Sequence, residues 1–372
     1  MEKRADRTIS VLFALFLAVF FFLNLFTSDR DFSPKENRYL QTFPNFSLSR
    51  LFDGEFTSDA DNWCADQFVW RDTWISLKAR CELLLGKKEN NGVFLCEEER
   101  LLEPFSEPES SALERRIFAV NEFADKAGVP VTLALIPSSS EIYADSLPYG
   151  ANKESQVPVV NSVYSAVSVD TVDLITPLMA HSAEYIFYRT DHHWTTLGAF
   201  YAYQQLSDSL GYTANDISRY QRRTVSEDFL GTAYSASGFF WVSPDTMEAF
   251  TEESSDLRVY KYDGGKAEAA TLYSPEQLKT KDKYRFYLGG NAPRVVIETG
   301  SDDLPSLLMI RDSFADSLIP FLTEHFSSLH LLDLRYYLDS PTDYIMENGI
   351  DRVLILYSVD DFCSENLALL AR

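Results

Sequence analysis

The chain has 372 residues, enough for two or three domains, or for one α/β domain of ~250 residues with extensions. Hydrophobic residues at 45% and charged residues at 24% exclude wholesale disorder. With 56 acidic and 33 basic side chains the net charge is -23, which excludes a nucleic-acid partner, because such a protein needs cations to replace counterions along the phosphates.

Residues 9–26 (ISVLFALFLAVFFFLNLF) hold only Ser10 and Asn24 as polar side chains. As a helix they rise about 27 Å at ~1.5 Å per residue, close to the ~30 Å of a bilayer core. A buried core helix would keep a polar face, and this run has none. A cleaved signal peptide would be shorter and end in a small-x-small site, whereas this run ends in Phe26-Thr27-Ser28-Asp29-Arg30. Lys3, Arg4 and Arg7 precede it, so the positive-inside tendency leaves the amino terminus in the cytoplasm. Residues 1–30 are therefore expected to form a cytoplasmic tail and an uncleaved signal anchor, with the acidic remainder extracytoplasmic.

Residues 31–105 read as a helical lead-in. Phe32-Ser33-Pro34 is extended around its proline, and a helix is predicted over Asp61–Leu85, stopping at Gly86. Asn90-Asn91-Gly92 makes a turn before a short strand at Val93–Leu95. From 106 to 372 the pattern alternates. A helix at Ser111–Lys126 precedes the strand Val131–Ile136. Strands follow at Val172–Ile175 and Tyr185–Tyr188, then a helix from near Trp194 to about Leu210. An irregular insertion covers about 212–290. Beyond it come strands 294–298, 306–311, 329–335 and 352–358, with helices at Phe314–Phe326 and Thr342–Asn348. Continuous apolar strands alternating with helices imply an α/β fold, a mostly parallel sheet covered on both faces.

Four cysteines (Cys64, Cys81, Cys96, Cys363) are too few for a disulfide scaffold and form no C-x-x-C pair. No disulfide essential to folding is expected, and the chemistry below needs no cofactor.

Thr190-Asp191-His192-His193-Trp194 is the sharpest local feature, because the chain has only five histidines. In an extended segment Asp191 and His193 share a face and His192 points elsewhere. An aspartate beside a histidine fixes its tautomer and raises the basicity of the far nitrogen, which is half of a nucleophile-activating triad. The same residues also suit a surface strand end or a helix N-cap. A metal site is disfavoured, since three adjacent residues converge poorly on a tetrahedral ion and no H-E-x-x-H is present.

In Ser306–Phe314 an apolar strand ends in Ser313 where a helix begins. A serine there can attack an acyl carbon while backbone N–H groups meet the oxyanion, or it can simply cap the helix. Leu288-Gly289-Gly290-Asn291 lets a backbone approach a ligand, with Gly290 and Asn291 as candidate oxyanion or substrate contacts. It is equally an ordinary turn before Pro293. Together the patches fit a serine activated by His193 and oriented by Asp191. Among the other histidines, His325 would sit three turns along the Phe314–Phe326 helix, too far to take the proton of Ser313.

Asp191-His192-His193-Trp194 resembles the name-giving motif of the DHHW protein family, and the chain is similar to the SGNH-hydrolase-like proteins of alginate O-acetylation. The resemblance spans most of the chain beyond the anchor. It rests also on Glu36-Asn37-Arg38, Asn91-Gly92-Val93, Ile142-Tyr143, Gly231-Thr232-Ala233-Tyr234-Ser235, Leu288–Asn291 and Asp312-Ser313. It implies an SGNH-hydrolase-like, flavodoxin-like α/β domain whose Asp-His before Ser order reads as a circular permutation. Residue by residue it implies the triad Asp191, His193 and Ser313. The implied activity is O-acetyl transfer to, or acetyl-ester cleavage on, a cell-envelope or exported polysaccharide. A membrane-bound acyltransferase supplying the acetyl group is the implied partner. Two positions depart from the pattern: Arg311 precedes Asp312-Ser313 where SGNH enzymes carry a Gly-Asp-Ser block, and Tyr357-Ser358 offers no matching asparagine or glutamate. A non-catalytic glycan-binding or assembly protein on the same fold is the rival reading.

Overall fold

The computed structural model describes residues 2–251 and 257–371. They form two compact units, one of Met1–Asn91 with Tyr234–Val242, the other of Gly92–Ala233 with Ser243–Arg372.

The first unit opens with the helix Glu2–Phe26, whose segment Asp6–Phe26 is long and apolar enough to cross a membrane and is not buried. The single helix expected over Asp61–Leu85 is two helices, Glu55–Asp66 and Arg71–Leu84. Between them Trp70 adopts φ 58°, a left-handed conformation that no helix interior tolerates. The apolar spacing carried no sign of that break. Arg38 forks onto Asp66 at 2.5 and 2.8 Å, and Arg71 pairs with Glu36.

The second unit is built on an eight-stranded sheet among the described residues. Numbering its strands alone in chain order gives β1 Val131–Ile136, β2 Asp170–Asp173, β3 Arg258–Asp263 and β4 Lys266–Ala270. They are followed by β5 Arg294–Glu298, β6 Ser306–Arg311, β7 Ser328–Leu332 and β8 Arg352–Ser358. The spatial order is β4-β3-β5-β7-β6-β8-β1-β2. From β7 to β2 every pairing is parallel; from β7 outward through β5, β3 and β4 every pairing is antiparallel. The expected parallel sheet is thus present, with an antiparallel edge contributed by β3 and β4, two strands from the stretch read as irregular. Their sequence (RVYKYD, KAEAA) is half polar because an edge hairpin buries little, so no apolar run announced it. A separate antiparallel pair, Gln221–Phe229 with Asp245–Thr251, fills more of that stretch.

Period-two alternation explains the two cores. In β6, Leu307 and Met309 face one cluster with Leu354, Leu356 and Phe200; Leu308 and Ile310 face the other with Val353, Ile355 and Phe123. Helix Thr196–Leu210 covers the first face and helix Ser110–Ala127 the second. Each ends at a left-handed glycine, Gly211 and Gly128. Two further expectations need correction. Tyr185–Tyr188 makes only a single bridge, Phe187 to Trp194, and the strand expected at Val172–Ile175 ends at Asp173, with a helix from Ile175.

Candidate active site

Strand β6 delivers the serine. Beyond Arg311 the chain passes Asp312, whose carboxylate accepts the Phe314 N–H at 2.9 Å and the Ser358 N–H of β8 at 2.6 Å. That N-cap starts a single 3-10 turn, Ser313–Ser317, so Ser313 stands at the carboxyl end of a central parallel strand. The long helix expected over Phe314–Phe326 is this turn plus the short helix Ile319–Leu322. Pro320 lacks an N–H and suits only a first turn, and the apolar run reflects burial rather than helical period. His325 therefore lies past the helix end, where its Nε2 meets the Tyr203 hydroxyl at 2.8 Å.

The histidine comes from the loop between Tyr188 and Trp194. The Tyr188 N–H donates to the His193 carbonyl at 3.2 Å, closing the loop. The segment is not extended, so the condition for strand alternation is not met. Asp191 Oδ1 accepts the His193 backbone N–H at 3.0 Å, an Asx turn, and the same oxygen lies 2.5 Å from His193 Nδ1. The carboxylate and ring still share a face, through the turn rather than through strand alternation. His193 Nε2 lies 2.8 Å from Ser313 Oγ. Asp191, His193 and Ser313 thus form one continuous hydrogen-bonded chain, with Asp191 and His193 buried.

Each link is braced. Asp191 Oδ2 accepts the Thr232 N–H at 2.8 Å and its hydroxyl at 3.2 Å. Gly231 makes that approach feasible, since a Cβ there would sit 2.2 Å from Asp191 Oδ2. Burial opposes the Asp191 charge, but His193, His192 and the Thr232 N–H outweigh it and hold the carboxyl well below the usual range. The His193 ring stacks on Tyr284 at 3.7 Å between centroids, and the Tyr284 hydroxyl reaches the Ser313 carbonyl at 3.3 Å. Trp194 donates its indole N–H to the Phe314 carbonyl at 2.9 Å and the Ser317 hydroxyl at 3.0 Å. The tryptophan therefore fastens the histidine loop to the serine turn. Asp245, fully buried, accepts from the Arg189 and Thr190 N–H groups and from the Tyr185 hydroxyl just before Asp191.

These groups open onto a cleft of about 760 Å³, lined also by Asp282, Arg285, Gly290, Asn291 and Tyr336. Leu288, Gly289 and Gly290 all have positive φ (55°, 72° and 90°), and Lys261 Nζ holds the Gly290 carbonyl at 2.6 Å. The glycine turn and Ser313 thus border the same cleft. His192 borders it too, its Nδ1 2.6 Å from the Thr232 hydroxyl. Arg311, the departure from the SGNH block, is fully buried with Asp316 at 2.9 Å, close but out of hydrogen-bond alignment. Burial lifts the Asp316 carboxyl to about 6 against the pull of Arg311. A metal could draw on Asp191, His192 and His193, whose donor atoms lie within 4.8 Å of one another. Those atoms already face Thr232, Ser313 and each other, so the set fits proton transfer better than a closed coordination shell. Thr232, Tyr284, Asp245 and Lys261 were not legible as site residues. Thr232 had entered only as part of the Gly231–Ser235 segment that carries the family resemblance.

A family model described as DHHW protein matches residues 110–332, and the chain belongs to the DHHW protein family. It is 27% identical over 194 residues to the probable alginate O-acetylase AlgJ of Pseudomonas syringae pv. tomato. That match covers 47% of this chain and 48% of the relative, so the chain spans about half the length of the curated relative it matches. A crystal structure of a DHHW family protein from Eubacterium siraeum superposes with a TM-score of 0.67 at 26% identity, over 76% of this chain and 95% of that one. Bacillus cereus PatB1, solved with a sulfonyl adduct, gives 0.64 at 21% identity over 75% and 98%, and shares the fold.

Proposed function

We propose that this DHHW family protein is a membrane-anchored serine O-acetyltransferase or acetylesterase acting on an extracytoplasmic polysaccharide. The observation that carries the reading is the hydrogen-bonded chain from Asp191 through His193 to Ser313, opening into a cleft. His193 Nε2 takes the Ser313 proton as Oγ attacks an acetyl-ester carbonyl. The Ser313 N–H meets the tetrahedral oxyanion in this scheme, with Gly290 or Asn291, which line the same cleft, as the second donor. The imidazolium, steadied by Asp191, returns the proton to the leaving oxygen, and the acetyl group stays on Ser313. A sugar hydroxyl, deprotonated by His193, then takes the acetyl group, and the imidazolium gives that proton to the departing Ser313 Oγ; water in place of the sugar gives hydrolysis.

The named activity of the AlgJ relative supports acetyl transfer to a polysaccharide. A membrane-bound acyltransferase that exports the acetyl group is the partner this scheme needs. The order Asp191, His193, Ser313 on an SGNH-like sheet is read as a circular permutation. The helix Asp6–Phe26 is read as a signal anchor holding the remaining chain outside the cytoplasm.

The test uses purified full-length protein in detergent, 4-nitrophenyl acetate and peptide mass spectrometry. Wild type should carry acetate on Ser313 and release nitrophenol, and Ser313→Ala should do neither. Wild-type protein that binds glycan but is never acetylated would be a binding or assembly protein instead.

A further inference from the structure

The first unit places a group of rings beside the anchor helix. Phe20 stacks on Phe68 with centroids 5.8 Å apart at 4°, and meets Trp74 edge-on at 5.7 Å and Trp70 at 6.1 Å. Polar clamps fix that arrangement. Asn24 Oδ1 accepts the Val69 N–H at 2.8 Å, Gln67 exchanges hydrogen bonds with the Arg30 backbone at 2.9 and 3.0 Å, and the Trp63 indole donates to Asp29 at 2.7 Å.

Height along the helix then becomes a constraint. Phe20 lies six residues before Phe26, about 9 Å down at ~1.5 Å per residue, inside the apolar run. Any ring stacked on Phe20 shares its surroundings. Phe68, Trp70 and Trp74 are 38%, 61% and 37% exposed. Trp70 holds a left-handed backbone, φ 58°, which an L-residue adopts at a cost, and it is the most exposed of the three rings. Exposing such rings together is unfavourable in water and is the usual composition of a membrane interface.

We infer that Phe68, Trp70 and Trp74 form a shoulder that enters the outer headgroup–acyl boundary beside the anchor. The occupant is the bilayer, because the groove of about 480 Å³ between Phe68 and the helix residues Phe16, Phe20, Phe21 and Leu25 is continuous with the unburied apolar surface of a helix long enough to span a membrane. The nearby charges are paired, Arg71 with Glu36 and Arg30 with Asp72, so the contact is apolar and asks for no anionic lipid. The inference rests on the reading of Asp6–Phe26 as a membrane anchor.

The full-length chain, reconstituted into phosphatidylcholine vesicles brominated either near the headgroup or deep in the acyl chain, separates the two. Flotation with the vesicles after alkaline wash tests the anchor. Tryptophan emission tests the shoulder: headgroup-proximal bromine should quench it more than deep bromine. Trp70→Phe and Trp74→Phe should each lose part of that quenching, and together all but the share of Trp63, which also lines the groove. Near-ultraviolet circular dichroism from buried Trp194 checks folding of the variants, and the wild-type depth profile stands without them. Absence of flotation refutes the anchor and the shoulder together. Flotation without quenching refutes the shoulder alone, and leaves its rings to a protein partner.

Discussion

Ser313 by itself is a weak nucleophile at neutral pH, and the 2.8 Å contact with His193 Nε2 is what would change that. Ser313→Ala and His193→Ala should each abolish acetyl-ester turnover while circular dichroism stays unchanged. Asp191→Asn should cost less but still orders of magnitude, because an amide misorients the ring. His192→Ala should cost little, since its ring bonds Thr232 rather than the serine; wild-type turnover in His193→Ala would overturn the mechanism. Gly231→Ala places a methyl 2.2 Å from the Asp191 oxygen, so it should lower kcat with a stability loss of about 1–3 kcal/mol by urea unfolding. At this scale the sequence showed the residues whose chemistry is rare. A chain with five histidines leaves few bases to choose from, and one of them follows an aspartate by two positions. Thr232, Tyr284 and Asp245 stayed hidden because threonine, tyrosine and aspartate are common, and only folding brings them to the site.

Elements carry the alignment of those residues. The Trp194 indole, bonded to Phe314 and Ser317, joins two loops that are 120 and 123 residues apart in sequence. Trp194→Phe keeps the ring and removes both bonds, so it should leave the melting temperature within a few degrees while kcat falls at least about tenfold, the effect of a small displacement of a near-attack pair. The apolar strands β6 and β8 were readable because burial on both faces leaves an unbroken run. The turn after β6 was not, because a capped 3-10 turn and a buried helix share that apolar composition. A second consequence sits on β7. His330 is buried between Ser328 and Tyr344, and burial, with Arg294 nearby, lowers its pKa from 6.5 to about 4. Between those values the unfolded chain holds a proton that the folded chain does not. This contribution is therefore present above pH 6.5 and lost as pH falls toward 4, at most about 3 kcal/mol by linkage. Thermal unfolding of wild type and His330→Asn across that window should show a shallower acid slope in the variant; equal slopes would remove His330 from the account.

At the scale of the whole chain, composition and one apolar run argue for a topology. A charge of -23 argues against anionic surfaces and nucleic acid as partners, while residues 9–26 of the unburied helix Asp6–Phe26 hold only Ser10 and Asn24 as polar side chains. Lys3, Arg4 and Arg7 precede the apolar run 9–26 and an acidic sequence follows it, the pattern from which the positive-inside tendency predicts a cytoplasmic amino terminus. Polysaccharide acetylation would require the Ser313 cleft on the opposite side, where an exported glycan is met. Protease added to intact spheroplasts should therefore digest residues 31–372 and spare a short amino-terminal fragment containing the helix. Without protease the whole chain should fractionate with membrane pellets rather than with the soluble fraction, as an uncleaved anchor would require. A mature amino terminus near residue 30 would mean a cleaved signal instead. Full protection of the body would put Ser313 on the wrong side of the membrane for its proposed substrate, and the functional reading would have to be abandoned with the topology.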